Sequence, residues 1–393
     1  MERSLLLSRY LGVLDRTVAK LATPSGFFRA MMASLAVCSQ VTGLPANAST
    51  RALQDRRAQV ASHVVSPDVP QALAIGPNGD LYIVDTGRDK ILERMPNGTF
   101  RVVAGDGREG HRGDGGPAAE AEIGLKYDSG IAVAANGAVY FSDSGNLRVQ
   151  EVTPEGLMKT VAGGGTEPLG AKPVPALKAL LAGGLGSAIQ VAGLAINPQG
   201  GLDIGLPGGV YSLGSDGELR RVAGGPFADR DGAWDANPAN ESDFAPAYRL
   251  TFDGKGDLYV AGGGGWGLYE KAANGAMSFV EPFRGGGAGF WGSRASVPHG
   301  GVVGVSNAGI QRSTANGKMG PLTSSPSRLQ AALNAALGSG PSGRRDGYFE
   351  GGSGIAVGRD GTVYVDMQVG VWSRVSAILA ISPTGRVSAL WRS

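Results

Sequence analysis

Three ionisable side chains in this chain lie at or beside short apolar segments where chemistry could take place. Asp128 and Glu350 each precede such a segment by a few residues, and Arg249 lies within one. Two acids and an arginine could serve a hydrolase or lyase as acid, base and charge-stabilising group. Carboxylates also suit a divalent cation such as calcium, but two of them do not complete its coordination shell. We therefore expect no catalytic residue, metal or cofactor, and we keep these three residues for an enzymatic alternative.

Two further aspartates lie in a glycine-rich segment that reads GDGREGHRGDGGP from Gly105. Asp106 and Asp114 could offer carboxylate oxygens to a ligand or to calcium. Their spacing matches no EF-hand loop, and the glycines alone account for a tight loop. We treat both aspartates as candidate ligand-binding residues and not as metal ligands.

Three aromatic residues next to glycines are the remaining candidates for ligand contact. Trp266 lies in GGGGWG, and Phe290 and Trp291 lie in GGGAGFWGS. Aromatic rings can stack on a sugar or anchor a peptide because they give a large contact area at little entropic cost. The alternative is that these rings fill space within the fold.

Other kinds of catalytic site find little support in the sequence. The histidines His63, His111 and His299 are widely separated, whereas a zinc enzyme needs several imidazoles that converge on one point. No Gly-x-Ser-x-Gly motif occurs, and the single cysteine, Cys38, lies near the N-terminus with no histidine beside it. The residues thus favour a binding function over nucleophilic or zinc catalysis.

Two alternating kinds of glycine turn predict the β-strands that must position these residues. The first kind, as in NGDLYI, opens an apolar strand, and the second kind, as in PNGTF, closes a pair of strands. Such turns are the strongest local signal for a β-hairpin. Two hairpins in each unit give a four-stranded antiparallel sheet, and a repeated sheet of this kind is typical of a β-propeller. The spacing predicts an all-β, six-bladed propeller over residues 69–393, with turns at Gly79, Gly98, Gly137, Gly156, Gly200, Gly217, Gly256, Gly275, Gly300, Gly317, Gly361 and Gly385.

The connections between units vary in length, whereas the turns inside hairpins stay short. Variable loops on a rigid scaffold commonly mark the binding face. We therefore expect the face that carries the interblade connections to bind a partner. Two of these connections, PVPALKALLAG from Pro173 and SPSRLQAALNAALG from Ser325, are predicted to contain short helices.

An aspartate recurs after the first turn of several units, in DTGRDK, in DSGNLR and, more weakly, near the C-terminus. Asp85, Asp143 and Asp366 are the residues concerned. A carboxylate in such a turn commonly accepts backbone N–H bonds. We predict that these aspartates brace their turns and pair with Lys90 or Arg148, and do not hold a ligand at the channel rim.

Composition and the chain ends limit the remaining possibilities. The formal net charge is +2, to which residues 1–48 contribute five basic and two acidic side chains, so we expect no nucleic-acid partner. Residues 1–48 read as a signal peptide or an N-terminal helix, and no run is long enough for a transmembrane segment. Residues 49–68 read as a linker with a possible closure strand. We expect a secreted, periplasmic or cell-envelope location, or a cytoplasmic one if the N-terminal segment is not a signal.

The segment from Leu81 to Gly124 resembles the NHL-repeat propellers of bacteria. It contains a strand, an aspartate turn, a basic strand, a Pro-x-Gly turn, VAG and a GDGGPA loop, and the next unit repeats much of this in VYFSDSGNLRVQEVTPEGLMKTVAGGG. The similarity is close over residues 71–165 and weaker elsewhere. It implies an extracytoplasmic binding or sensor domain, while related six-bladed folds include lactonases, amidated-peptide lyases and strictosidine-synthase-like enzymes. The sequence thus predicts a non-catalytic domain that binds a protein, peptide or glycan, with a lactonase-like or strictosidine-synthase-like enzyme as the alternative.

Overall fold

A computed structural model gives the fold of this chain. It describes residues 65–127, 129–181, 193–206, 209–224, 247–262, 268–271, 277–281, 294–296, 302–306, 309–313, 319–323, 331–333, 335–336, 349–350, 354–369 and 375–392. The chain divides into two compact units, Met1–Val64 and Val65–Ser393, and the described residues all belong to the second.

The described part begins with two four-stranded sheets in which the strands follow chain order. The first contains β1 (Pro70–Ile75), β2 (Leu81–Asp85), β3 (Lys90–Arg94) and β4 (Phe100–Ala104). After a short 3-10 helix, η1 (Ala118–Glu120), the second contains β5 (Ile131–Val133), β6 (Val139–Asp143), β7 (Arg148–Val152) and β8 (Met158–Gly163). A further 3-10 helix, η2 (Ser144–Asn146), joins β6 to β7. Neighbouring strands in both sheets are antiparallel.

The connection to the third sheet has structure of its own. It contains β9 (Glu167–Pro168), β10 (Val174–Pro175), η3 (Ala176–Lys178) and β11 (Ala179–Leu180), and β11 pairs with β9 in parallel. The third sheet contains β12 (Gly193–Ile196), β13 (Leu202–Leu206), β14 (Gly209–Leu213) and β15 (Glu218–Ala223). β10 adds a fifth strand on the outer side of β15.

Two more four-stranded meanders follow. The fourth sheet contains β16 (Ala247–Phe252), β17 (Leu258–Gly262), β18 (Leu268–Lys271) and β19 (Met277–Glu281). The fifth contains β20 (Arg294–Ser296), β21 (Val302–Ser306), β22 (Gly309–Ser313) and β23 (Met319–Pro321).

The C-terminal sheet is branched, unlike the five larger sheets before it. It contains β24 (Phe349–Glu350), β25 (Ile355–Val357), β26 (Val363–Val369), β27 (Val375–Ile381) and β28 (Val387–Arg392), and both β24 and β25 pair with β26. The prediction of an all-β propeller of four-stranded antiparallel sheets is confirmed. The prediction of six such blades is not: five sheets each contain a four-stranded meander, so the structure shows five blades of this kind, and the branched C-terminal sheet departs from the predicted repeat.

Glycine turns join the strands where the sequence predicts them. The glycines of the described turns have φ between 77° and 89°, a left-handed conformation that other residues adopt only with strain. They are Gly79, Gly98, Gly137, Gly156, Gly200, Gly217, Gly256, Gly361 and Gly385. Gly275, Gly300 and Gly317 lie outside the described residues.

Apolar side chains fill the space between neighbouring sheets. One buried cluster joins the first sheet to the second, and another joins the second to the third. The C-terminal sheet packs back on the first: Ala356 and Ile378 share a cluster with Leu73, Ile83 and Leu92. β1 lies beside both β5 and β25, so the innermost strands follow one another around a central axis.

Helices are fewer than the sequence predicts. The prediction of a helix from Pro173 is wrong, because this segment forms β10, the single 3-10 turn η3 and β11. Its residues pack as part of a sheet edge and not as an independent amphipathic helix. In the segment from Ser325, residues 331–333 and 335–336 are helical, and Leu333 is buried against the C-terminal sheet.

The predicted linker ends at the first sheet. Val65 forms an isolated antiparallel bridge with Phe100 on β4, the outer strand of that sheet. Residues 49–64, where the closure strand is predicted, lie outside the described part of the chain.

Gly354 should tolerate no side chain, because β25 approaches β1 closely at this position. An added Cβ would lie 2.9 Å from the backbone nitrogen of Leu73 and 3.0 Å from the carbonyl carbon of Ala72. We expect Gly354→Ala to lower the free energy of unfolding by about 1–3 kcal/mol, since backbone atoms must shift to make room. Denaturant unfolding of the full chain measures this change.

Gly170→Ala is the matched control, because nothing lies within 4 Å of its added Cβ. We expect it to change stability by less than about 0.5 kcal/mol. Equal unfolding midpoints for the two variants would show that the first and last sheets do not pack as described.

Candidate functional site

The innermost strands enclose a central channel. A cavity of about 250 Å³ lies there. β1, β5, β12, β16 and β20 each stand at the end of their sheet order, so one backbone edge of each is not paired within the sheet. The cavity is therefore bounded by strand edges and mainly apolar side chains. Its lining residues are Ala72–Ile75, Gly130–Val133, Gly193–Ile196, Arg249–Phe252, Ala295 and Gly354–Val357.

At one level of the channel, the described residues are small apart from one long side chain. This level is defined in each sheet by the residue of the innermost strand that lies opposite the fourth residue of the second strand. It is Ala72, Gly130, Gly193 and Gly354 in the first, second, third and C-terminal sheets, and Arg249 in the fourth sheet. The corresponding position of the fifth sheet lies outside the described residues. Arg249 is half-buried and carries the only formal charge among the described lining residues. Small neighbours thus leave room around one guanidinium.

This level lies near one end of the channel, the end at which the chain enters each innermost strand. Arg249 is the third residue of β16, and its partner Ala261 is the fourth residue of β17. We call this the connection side of the propeller, and we call the opposite side, with the glycine turns, the turn side. Arg249 takes part in an interaction within the protein as well as lining the cavity.

The groups at this level are suited to binding. A guanidinium stays protonated in proteins and offers five N–H donors in a planar fork that matches a carboxylate. Strand edges add backbone N–H and C=O groups. These groups can hold a ligand by charge and hydrogen bonds.

A buried network of hydroxyl groups supports the second sheet on the connection side. The Oγ atoms of Ser129 and Ser144 lie 2.5 Å apart, and the Gly130 N–H donates to Ser142 Oγ at 2.5 Å. The Lys126 N–H also donates to Ser129 Oγ, at 3.0 Å. These serines are fully buried. The network fixes the start of β5, which lines the channel.

Asp143 ties the incoming connection to the second sheet. Its Oδ1 accepts hydrogen bonds from the Gly124 N–H and from Asn146 Nδ2, both at 2.7 Å. The side chain is fully buried. Burial raises the pKa of Asp143 to about 6, although these hydrogen bonds act to lower it. Asp143 therefore braces the chain entering the sheet.

Asp85 has the corresponding place in the first sheet. Its carboxylate accepts the N–H groups of Asp68, Val69 and Gly87 at 3.0, 2.8 and 3.3 Å. Burial raises the pKa of Asp85 above its ordinary value, against the effect of these hydrogen bonds. The ion pairs among described residues join neither Asp85 to Lys90 nor Asp143 to Arg148. Backbone N–H groups hold Asp85, and a backbone N–H together with the Asn146 side chain holds Asp143.

Asp366 does not occupy the place that the sequence pattern suggests. It is the fourth residue of β26, whereas Asp85 and Asp143 are the fifth residues of their strands. Its structural counterpart is Ser142: the Gly354 N–H donates to Asp366 Oδ1 just as the Gly130 N–H donates to Ser142 Oγ. Asp366 is fully buried and holds the start of β25 beside the channel.

Asp106 and Asp114 both make contacts within the protein. Asp106 Oδ1 accepts the N–H of Arg108 at 2.8 Å. Asp114 Oδ1 accepts the N–H of Thr160, on β8, at 2.7 Å. Neither residue lines the described cavity. Their observed contacts shape a loop and attach it to the outer strand of the second sheet.

This loop, residues 105–124, forms a strap over the outer edge of the next sheet. Near its middle, the Ala118 N–H donates to Gly156 O, and Pro117 bridges to Leu157 on the turn side. Near its end, Gly124 returns to Asp143 on the connection side. The first strap therefore spans from one side of the propeller to the other.

A second strap, residues 164–181, repeats the first. The Ala176 N–H donates to Gly217 O, and Val174 pairs with Leu219 on β15. Pro-Ala-x-x-Ala-x-Ile at Pro117 matches Pro-Ala-x-x-Ala-x-Leu at Pro175, and the alanines and final aliphatic residues are buried in both. The added length in these two connections covers sheet edges, so length alone does not mark a binding face.

Several predicted site residues cannot be compared with this geometry. Trp266, Phe290, Trp291 and Asp128 lie outside the described residues, as does the side chain of Glu350. Of the predicted enzymatic set, the structure thus describes the surroundings of Arg249 alone, and Arg249 lines the channel.

Sequence reasoning missed a buried aspartate in the third sheet. Asp203 lies opposite Ser212 and accepts a hydrogen bond from Asn197 Nδ2 at 2.9 Å. Burial raises its pKa. In the first, second and fourth sheets, this position holds a tyrosine opposite a glutamate, as with Tyr82 and Glu93. The sequence did contain a signal for this aspartate: the LYI of the first unit, at Leu81, is replaced by LDI at Leu202.

The structure gives two findings on metals and membranes. Among the described residues, histidines, cysteines, aspartates and glutamates do not gather in groups of three or more that could hold a metal ion. In the same part of the chain, no helix has the length and apolar character needed to cross a bilayer.

Comparisons with known proteins give distant similarities. No family model matches the chain. Teneurin-m of Drosophila melanogaster is 26% identical over 230 residues, which are 54% of this chain and 8% of Teneurin-m. The matched part thus spans a small fraction of that relative, and the resemblance to NHL repeats stays a prediction.

Solved structures with low sequence identity cover most of the chain. A streptogramin B lyase covers 83% of this chain and 84% of its own, with 11% identity and a TM-score of 0.49. A gluconolactonase from Xanthomonas campestris covers 65% and 75%, with 16% identity and a TM-score of 0.42. The calcium-binding protein regucalcin from Agrobacterium tumefaciens covers 77% and 83%, with 12% identity and a TM-score of 0.43. Similarity at this level does not bear on activity or ligand.

The raised pKa of Asp143 predicts a specific dependence of stability on pH. The folded state holds this proton up to about pH 6, whereas the ordinary value is 3.8. The free energy of unfolding should therefore fall as pH rises from about 4 to about 6, because the unfolded carboxyl ionises first. Asp143→Asn cannot ionise, so its stability relative to the unmodified chain should rise over this range by up to roughly 3 kcal/mol.

Chemical unfolding of the full chain at several pH values measures this difference. Glu155→Gln, which removes an exposed carboxylate in a glycine turn, is the matched control against which the change is read. An Asp143→Asn difference that does not vary with pH would mean that Asp143 ionises as easily in the folded chain as in the unfolded one.

Proposed function

We propose that this chain is a non-catalytic binding domain that takes a protein, peptide or glycan on the connection side of the propeller. The observation that carries the proposal is the level of the channel at which Arg249 stands among Ala72, Gly130, Gly193 and Gly354. A charged donor surrounded by small residues leaves space that a ligand group can enter.

The size of the cavity supports binding of a small group. A volume of about 250 Å³ is below the range of about 300–1,000 Å³ for pockets that enclose drug-sized molecules. A protein, peptide or glycan would therefore place one residue or one sugar in the channel. The rest of such a partner would rest on the connection side.

The proposal includes a six-bladed architecture of NHL type, with the branched C-terminal sheet as the last blade. β25 lies between β20 and β1, and Ala356 and Ile378 pack against the first sheet. This position supports closure of the ring by the C-terminal sheet. Export to the periplasm, envelope or exterior is part of the same proposal and depends on residues 1–48 acting as a signal.

The enzymatic alternative would use the same channel. A lactonase-like or strictosidine-synthase-like site would need Asp128 and Glu350 beside Arg249. Carboxylate oxygens would coordinate a divalent cation such as calcium there. The described groups around Arg249 favour binding, because a guanidinium and backbone edges recognise a ligand without transferring its protons.

Arrays of peptides and glycans probed with the full chain test the binding function. We expect a small set of partners that bind without being consumed. We expect Arg249→Gln to weaken these interactions by about 10-fold or more, because it removes a charged donor. Arg312→Gln, which removes an exposed arginine on β22, is the matched control and should bind as the unmodified chain does.

Product analysis and metal analysis of the same samples separate the two functions. Chemical change in a bound partner together with a stoichiometric divalent cation would replace the proposed function with the enzymatic one. Recovery of intact partners supports binding.

A further inference from the structure

We propose that the group entering the channel carries a single carboxylate, which Arg249 binds. This inference rests on the proposed function and names the ligand chemistry of the same site. It follows from the charge, the space and the direction of access at the level of Arg249.

Charge is the first argument. Arg249 is the only formally charged residue among the described lining residues, and the other described lining side chains are aliphatic apart from Thr251 and Phe252. A phosphate dianion usually engages several cations or N–H groups, whereas a carboxylate matches a single guanidinium through two parallel hydrogen bonds.

Space is the second argument. The positions level with Arg249 in other sheets are an alanine and three glycines, so side chains contribute little bulk there. Water takes up about 30 Å³ per molecule in the liquid, so a cavity of about 250 Å³ has room for a group the size of one sugar or one to two amino-acid residues. A carboxylate on a slender group fits this space.

Rigidity is the third argument. Buried groups hold the entrances of two other innermost strands, β5 and β25: Ser142 Oγ accepts the Gly130 N–H, and Asp366 Oδ1 accepts the Gly354 N–H. These bonds fix two glycines of the arginine level. A site whose walls are fixed before binding loses less conformational entropy when the ligand enters.

The half-buried position of Arg249 strengthens its attraction for an anion. A charge pair in a partly enclosed channel is less screened by water and salt than a pair on an open surface. The guanidinium has five donors, so it can keep its interaction within the protein while it binds a carboxylate. A neutral ligand of equal size gains no such interaction.

Matched pairs of small ligands test the proposal by titration calorimetry on the full chain. The pairs are glucuronate against glucose, and an N-acetylated amino acid with a free carboxylate against its amide. We expect each acid to bind about 10- to 100-fold more tightly than its neutral partner, the range of a charge-assisted hydrogen bond. The two pairs distinguish a sugar acid from a peptide-like carboxylate as the source.

Variants at Arg249 give the decisive comparison. Arg249→Gln should abolish the preference for acids, Arg249→Lys should retain part of it, and the control Arg312→Gln should retain all of it. A preference that survives in Arg249→Gln, equal binding of acids and neutral partners, or tighter binding of inorganic phosphate than of either acid would overturn the proposal.

The partners found on the arrays test the proposed function separately from the carboxylate inference. If those partners bind unchanged but lack a carboxylate, the binding function stands and the carboxylate inference fails. If an acid binds through Arg249 and is chemically altered, the carboxylate inference stands and the non-catalytic function fails.

Discussion

The close approach of the innermost strands around the central axis is the constraint on which the rest of the structure depends. Sheets that converge on an axis have least room at their inner strands, so this position must carry small residues where two strands meet. At Gly354 an added Cβ would stand 2.9 Å from the backbone of β1. Arg249 is the exception among the described positions at this level, which is why it can define a site.

The ring has to be held together by packing, because the chain has a single cysteine and cannot form an internal disulfide. The cluster that contains Leu73, Leu92 and Ile378 joins the first and last sheets. Buried carboxylates add local order. Asp85 and Asp143 each hold a chain segment that enters a sheet, through backbone N–H groups. Their raised pKa values reflect the cost of burying charge for this purpose.

The two straps give a structural reason for the length of two interblade connections. An outer strand has an unpaired edge, and such edges are prone to pair with other chains unless they are covered. The first strap attaches Ala118 to the turn at Gly156, and the second attaches Ala176 to the turn at Gly217. Their length is therefore used to cover the edges of β8 and β15. The two connections share a Pro-Ala-x-x-Ala pattern. The interpretation of the second connection as a helix hides this similarity.

Local sequence alone determined the strands and turns, because positive φ at glycines such as Gly79 and alternation such as LYIV are properties of a few adjacent residues. It also singled out Asp85 and Asp143 by their repeated position, but not their partners in the entering chain, which lie 16 and 19 residues earlier in the sequence. It misplaced Asp366 by one position, because strand register decides which backbone group a side chain meets. Only the tertiary structure decided that Arg249 stands at the same level as Gly130 and Gly193. These residues belong to different sheets, and only the arrangement of those sheets around one axis brings them together.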